Sequence, residues 1–193
     1  MKNEPRKLAT IAILSGISAI LAVFLRFNLP FMPSFIKMDL AKLPAIIATY
    51  SMGPFSGISV CLLKNIITIP FSSTFIIGPL ANFLLECSFI LPLGIIYVKN
   101  KSKYSAILSC IVGSLSMAIT SFPINYYILY PIYFQIISEN KILNMYQAIF
   151  PQINSISEAL LTFNVPFTLL KGLLVSFIAS LLYKRLPKFI KDI

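Results

Sequence analysis

Residues 165–172 read VPFTLLKG: a lysine, Lys171, follows a proline by little more than a helical turn in a segment that otherwise runs apolar from Leu160 to Tyr183. Lys64 and Glu86 interrupt two other apolar runs, and the amides Asn65, Asn82 and Asn125 accompany them. Ionisable groups in hydrocarbon are costly, so they generally face one another, a water-filled interior or a ligand. The chemistry open to this set is hydrogen bonding and ion pairing. No histidine occurs, which removes Ser-His and Cys-His nucleophile pairs, and Asp39, Glu86 and Glu158 make no recognisable acid/base duo. There is no GxxxxGK[ST] loop to hold ATP. Cys61, Cys87 and Cys110 sit among apolar residues without CxxC spacing and read as small buried hydrophobes. The expectation is a binding protein, neither an enzyme nor a carrier of a metal or cofactor.

The elements that position these residues follow from composition. Of 193 residues, 58% are hydrophobic and 11% charged, with a mean hydropathy of +0.87, more apolar surface than a soluble globule of this size can hide. The protein is therefore integral to a membrane, multi-pass, in the cell membrane. The net charge of +10 would suit nucleic acid if it formed a face. Instead Lys2, Arg6 and Lys7 precede the first apolar run, Lys99, Lys101 and Lys103 interrupt the middle, and Lys184, Arg185, Lys188 and Lys191 close the chain. Short basic clusters at span ends mark cytoplasmic loops, and no nucleic-acid partner is expected. The apolar stretch Leu8–Leu25 is longer than a signal-peptide core and lacks a cleavage site, so it reads as a retained first span.

At about 20 residues per crossing, six spans are expected, near Leu8–Phe27, Asp39–Met52, Ser56–Phe71, Pro79–Val98, Tyr104–Leu129 and Pro166–Leu186. The fold class is all-α: one domain over residues 1–193, a bundle of six transmembrane helices with both termini cytoplasmic. The outer connections are then 28–37, 72–78 and the long stretch 130–165, with room for a short helix before Pro166. Measured from the prolines at the outer span ends, Lys64, Glu86 and Lys171 each lie roughly 8–10 Å deep. The polar groups thus share one layer in the outer third of the membrane. Lys64 and Glu86, at matched depth, are expected to pair with each other, leaving Lys171 and the amides to face a ligand. A purely structural reading, with lysines snorkelling to headgroups and asparagines joining helices, stands beside it. Along the first span, Ala12 and Gly16, Ser15 and Ala19, and Ser18 and Ala22 place small residues four apart, which lets another helix approach closely. Phe27, Phe31 and Phe35 in the first outer loop, and Tyr126, Tyr127, Tyr130 and Tyr133 near the fifth span's outer end, suit the interface, and some could stack on a planar ligand.

The ordered set Lys37-Met38-Asp39-Leu40 with Pro44, GPFSG at 53–57, Leu63-Lys64-Asn65, Gly78-Pro79-Leu80-Ala81-Asn82-Phe83, Asn125-Tyr126 with Leu129-Tyr130-Pro131-Ile132-Tyr133, and Pro166-Phe167 through Leu170-Lys171-Gly172 resembles the substrate-binding S components of energy-coupling factor (ECF) vitamin transporters, of the riboflavin-binding type. The resemblance spans nearly the whole chain. It implies a six-helix protein that captures riboflavin, as transported ligand, from outside and works with a transmembrane coupling subunit and two ATPase subunits. It implies that Ala12, Ser15, Gly16, Ala19 and Ala22 meet the coupling subunit, and that the first outer loop, with Phe31, Phe35 and Lys37, closes over the vitamin. Asn125 and Lys171 match flavin-bonding positions and Asn82 lies beside the pocket; Asp39, Lys64, Asn65 and Thr168 are expected to join them as ligand-binding residues. In the family an asparagine usually stands three residues before the lysine, where this chain has Thr168. A hydroxyl bonds but does not copy an amide's paired donor and acceptor. Another planar vitamin such as thiamine therefore stays open as ligand, as does, more distantly, a structural subunit of a membrane complex.

Overall fold

The apolar runs have one economical way to exist in lipid: each must satisfy its own backbone N–H and C=O groups, which a helix does within a single segment. The computed structural model describes residues 4–28, 32–33, 36–72 and 75–183, and helices dominate them. They are α1 (Glu4–Phe24), α2 (Lys42–Met52), α3 (Pro54–Thr68, extended by a 3-10 turn Ile69–Phe71), α4 (Ile77–Lys99), α5 (Lys103–Pro123), α6 (Tyr130–Phe134), α7 (Glu139–Gln147), α8 (Ile156–Ala159) and α9 (Val165–Tyr183). Two π-helical turns, Ile124–Leu129 and Leu160–Asn164, join α5 to α6 and α8 to α9 without a break. Among the described residues, five stretches are long and apolar enough to cross a membrane: Glu4–Phe24, Pro54–Phe71, Ile77–Lys99, Lys103–Phe134 and Ile156–Leu182. Leu8, Ile13, Phe24, Ile119, Phe177 and Leu181 are among many large apolar side chains exposed on them, as lipid-facing surfaces require. This is a multi-pass membrane protein.

Three expected boundaries are corrected. The segment expected as a second span, Asp39–Met52, is an 11-residue helix from Lys42. At about 16 Å it is too short to cross a hydrocarbon core of about 30 Å unaided. The fifth helical stretch runs past Leu129 to Phe134, and the last begins at Ile156 rather than Pro166. In both, a proline that reads as a boundary lies inside a continuous helix, because the wider π turn beside it absorbs the missing N–H and the ring's clash with the preceding turn. Lys171 is thus 15 residues from its helix start, roughly 22 Å rather than 8 Å. A short helix does occupy the long outer connection, as α7.

The first outer connection holds a small antiparallel hairpin, β1 (Phe27–Asn28) and β2 (Lys37–Met38), pairing Phe27 with Met38 and Asn28 with Lys37. Phe31 and Phe35 lie outside the described residues, as do Lys2 and the cluster from Lys184 onward. α5 packs most extensively against α4 and α9, and α3 against α1, α2 and α4. One core gathers Ile46, Val60, Phe89, Ile90, Leu93, Met117 and Val175; a second, under the long connection, gathers Leu129, Ile142, Tyr146, Ile153, Leu160 and Phe163. Two glycines set the geometry. Gly53, at φ +93°, turns α2 into α3 through a backbone conformation that L side chains avoid, and Pro54 starts α3 directly after it. Gly172 brings α9 so close to α5 that a Cβ there would lie 2.9 Å from the Ser114 side chain.

Candidate functional site

Between the two cores lies a cavity of about 340 Å³, within the usual range for small-molecule sites. Its walls come from every part of the chain. The hairpin and the start of α2 bring Lys37, Asp39 and Lys42, α3 brings Lys64, α4 brings Asn82, the first π turn Asn125, the second Asn164, and α9 Thr168 and Lys171. Tyr130 and Tyr133 add an aromatic side and Met117 and Leu129 an aliphatic one. The cavity sits at the beginning of α4 and the end of α5, hence at the end of those helices opposite the basic Lys99–Lys103 connection.

Beside it is a buried polar knot. Lys64 Nζ donates to Glu86 Oε1 at 2.7 Å, both side chains 4% exposed. Asn65 Nδ2 donates to Glu86 Oε2 at 2.8 Å and to the Cys61 carbonyl, while Asn65 Oδ1 accepts from Lys64 Nζ. The Lys64–Glu86 pair expected from matched depth is present. Asn65, by contrast, does not line the cavity: it spends its amide on holding Glu86 in place, leaving Lys64 with one face on the cavity. Such mutual saturation is what makes a buried ion pair tolerable.

Lys171 is not a solitary ammonium either. Its Nζ lies 2.6 Å from Asp39 Oδ2, across 132 residues of sequence, and 3.5 Å from the Lys37 carbonyl. Asp39 Oδ1 accepts from the Ala41 N–H, which fixes the carboxylate at the entrance to α2. α9 is therefore tied directly to the hairpin. Thr168, buried one turn before Lys171, lines the same wall.

The asparagines are oriented. Asn125 Nδ2 donates to the Ser121 carbonyl at 2.6 Å, and since a carbonyl can only accept, the amide oxygen is left over. The Tyr146 hydroxyl donates to Asn164 Oδ1 at 2.8 Å, and Tyr130 and Tyr146 hydroxyls meet at 2.6 Å. Tyr146 lies in the connection outside the membrane-spanning stretches, and burial pushes its phenol up, so it stays protonated and able to donate.

Sequence reasoning missed Lys42, Asn164 and the tyrosine pair. Lys42, 4% exposed, contacts Met117 Sδ and lies 5.8 Å over the Phe89 ring, with no carboxylate within 4.0 Å of it among the described residues. It fell inside the segment read as a span and belonged with the other intramembrane charges. Asn164 falls in the long outer connection expected before Pro166, where no polar residue stands out. Of the small residues on α1, Ala12 and Gly16 are turned outward, Gly16 with open space around its Cα; Ser15 and Ala19 are buried in the bundle, and Ala22 borders the cavity.

Comparison with known proteins is consistent across the whole chain. The chain is 35% identical over 191 residues to the riboflavin transporter RibU of Staphylococcus aureus (strain TCH60), covering 99% of this chain and 95% of that one. It is 27% identical to the riboflavin transporter FmnP of Bacillus subtilis (strain 168), covering 97% and 95%. A solved structure, reported as "Structure and mechanism of the S component of a bacterial ECF transporter", superposes with a TM-score of 0.76 at 33% identity, over 97% of this chain and 99% of that one. The profile of the family described as ECF transporter, substrate-specific component, matches residues 6–183. A membrane bundle enclosing one polar-lined cavity, with this similarity along its full length, belongs to the substrate-specific components of ECF transporters.

Proposed function

We propose that this protein captures riboflavin on the extracellular side and presents it for uptake driven by a separate transmembrane coupling subunit and two ATPase subunits. The observation that carries the reading is the convergence of Asn125, Thr168 and Lys171 on one cavity walled by Tyr130 and Tyr133. The pyrimidine edge of isoalloxazine alternates carbonyl acceptors with an N–H donor, and amide, hydroxyl and ammonium groups answer that alternation. Aromatic and aliphatic walls suit the rings. The relatives named as riboflavin transporters point the same way.

Charge speaks against thiamine. Arg26, Lys37, Lys42, Lys64 and Lys171 line the cavity against one carboxylate, Asp39, and a thiazolium cation would be repelled. The proposed arrangement is a single domain of six crossings, α2 and the hairpin before it together serving as the second, with both termini cytoplasmic. An even number of crossings returns the chain ends to the side of Lys99–Lys103 and leaves the cavity opening outward. Ala12 and Gly16, facing out from α1, are the part of the small-residue stripe available to a coupling subunit.

Titration of the purified protein with riboflavin, followed by quenching of flavin fluorescence, tests the ligand. Saturable binding is expected, weakened about tenfold or more in Lys171→Met, which deletes a charged donor. A protein that purifies colourless and ignores added riboflavin would refute the reading.

A further inference from the structure

The two amides left half-used at the cavity are complementary. Asn125 spends one N–H on Ser121 and keeps its oxygen and the second N–H; Asn164 spends its oxygen on Tyr146 and keeps an N–H₂. Among the described residues no acceptor takes the Asn164 Nδ2 hydrogens. Both side chains line the cavity, and each is carried by a π turn, where the wider helical register re-aims a side chain. The order of donation is fixed by the hydroxyl pair: Tyr146 donates to Asn164, so Tyr130 donates to Tyr146, and the chain ends on the amide oxygen.

We infer that Asn164, oriented by Tyr146, is a specificity-determining residue that donates its amide N–H₂ to a ring carbonyl of the bound ligand, taking up at one turn's remove the part Thr168 is too short to play. This rests on the riboflavin reading. An acceptor–donor–acceptor edge then meets its complement: Asn125 Oδ1 accepts from the central ring N–H, Asn164 Nδ2 donates to one flanking carbonyl, and Lys171 or Thr168 donates to the other. Thr168 and Asn164 are four residues apart, so both project on one side of the last helix. The missing asparagine is thus replaced from the preceding turn, and Tyr146 serves as a positioning residue that never touches the ligand.

The test is riboflavin titration of the full chain in detergent, with thermal unfolding of the ligand-free protein alongside. Asn164→Asp keeps the oxygen that accepts from Tyr146 and replaces the N–H₂ by a second oxygen. It should preserve the unfolding temperature while weakening riboflavin about tenfold or more, because an acceptor then faces a carbonyl. Asn164→Ala should weaken binding similarly, and Tyr146→Phe by several-fold. Thr168→Asn should change the parent little and restore affinity in Asn164→Ala. Parent-like titration of Asn164→Asp, even with loss in Asn164→Ala, would reduce the residue to a prop for Tyr146 and overturn the inference alone. A parent protein that binds no riboflavin overturns the proposed function and this assignment together.

Discussion

Glu86 holds two partners, Lys64 and Asn65, in a setting with almost no water, and this makes it the residue whose loss the bundle should feel most. Glu86→Gln leaves Lys64 as an uncompensated buried ammonium and is expected to cost about 3–5 kcal/mol, read as a lowered unfolding temperature of the ligand-free protein. The double replacement Lys64→Met with Glu86→Leu should be much milder, since nothing charged is stranded. Unchanged stability in the single variant would mean that the pair has no structural role. This pair was legible in the sequence because both residues sit in regular helices whose ends prolines mark correctly. Lys171–Asp39 was not, since Asp39 lies in the short connection between β2 and α2, which has no periodicity, and meets its partner only through tertiary folding.

Helix α9 is positioned by its contact with α5, and the approach is closest at Gly172, next to Lys171 in sequence. Gly172→Leu must push the Ser114 backbone away or tilt α9, at about 1–3 kcal/mol for overpacking. Because Thr168 and Lys171 ride on the same helix, riboflavin affinity should fall along with the unfolding temperature, whereas Gly16→Leu, with open space around it, should leave both unchanged. Equal loss in the two variants would argue against close α5–α9 contact as the device that places the site. Helix existence and order were readable from apolar runs; helix length near Pro131 and Pro166 was not. A proline's usual meaning is a boundary, and only the flanking π turns reverse it. That is also why Asn164, the last residue of such a turn, falls outside the span the sequence predicts.

At the scale of the molecule, the polar groups of several helices gather at one end of α4 and α5, and the basic Lys99–Lys103 connection lies at the other. Single cysteines placed in a cysteine-free background should report this sidedness: position 75, in the connection before α4, labelled from outside intact cells, and position 101 only after permeabilisation. The reverse pattern would invert the proposed topology. The gathering was legible from polar residues interrupting apolar runs; the hairpin that ties it to α9 was not, since two-residue strands leave no pattern. Deeper than the cavity, toward the Lys99–Lys103 end, the first core closes the bundle with Ile46, Val60, Phe89, Ile90, Leu93 and Val175, none of them exposed at all. The protein is in this respect a cup and not a pipe. Among the described residues these side chains make a dry, close-packed floor, which would let the chain sit in a polarised membrane without short-circuiting the ion gradients across it and would bar cargo at the rim from leaving through the base while that base stays closed.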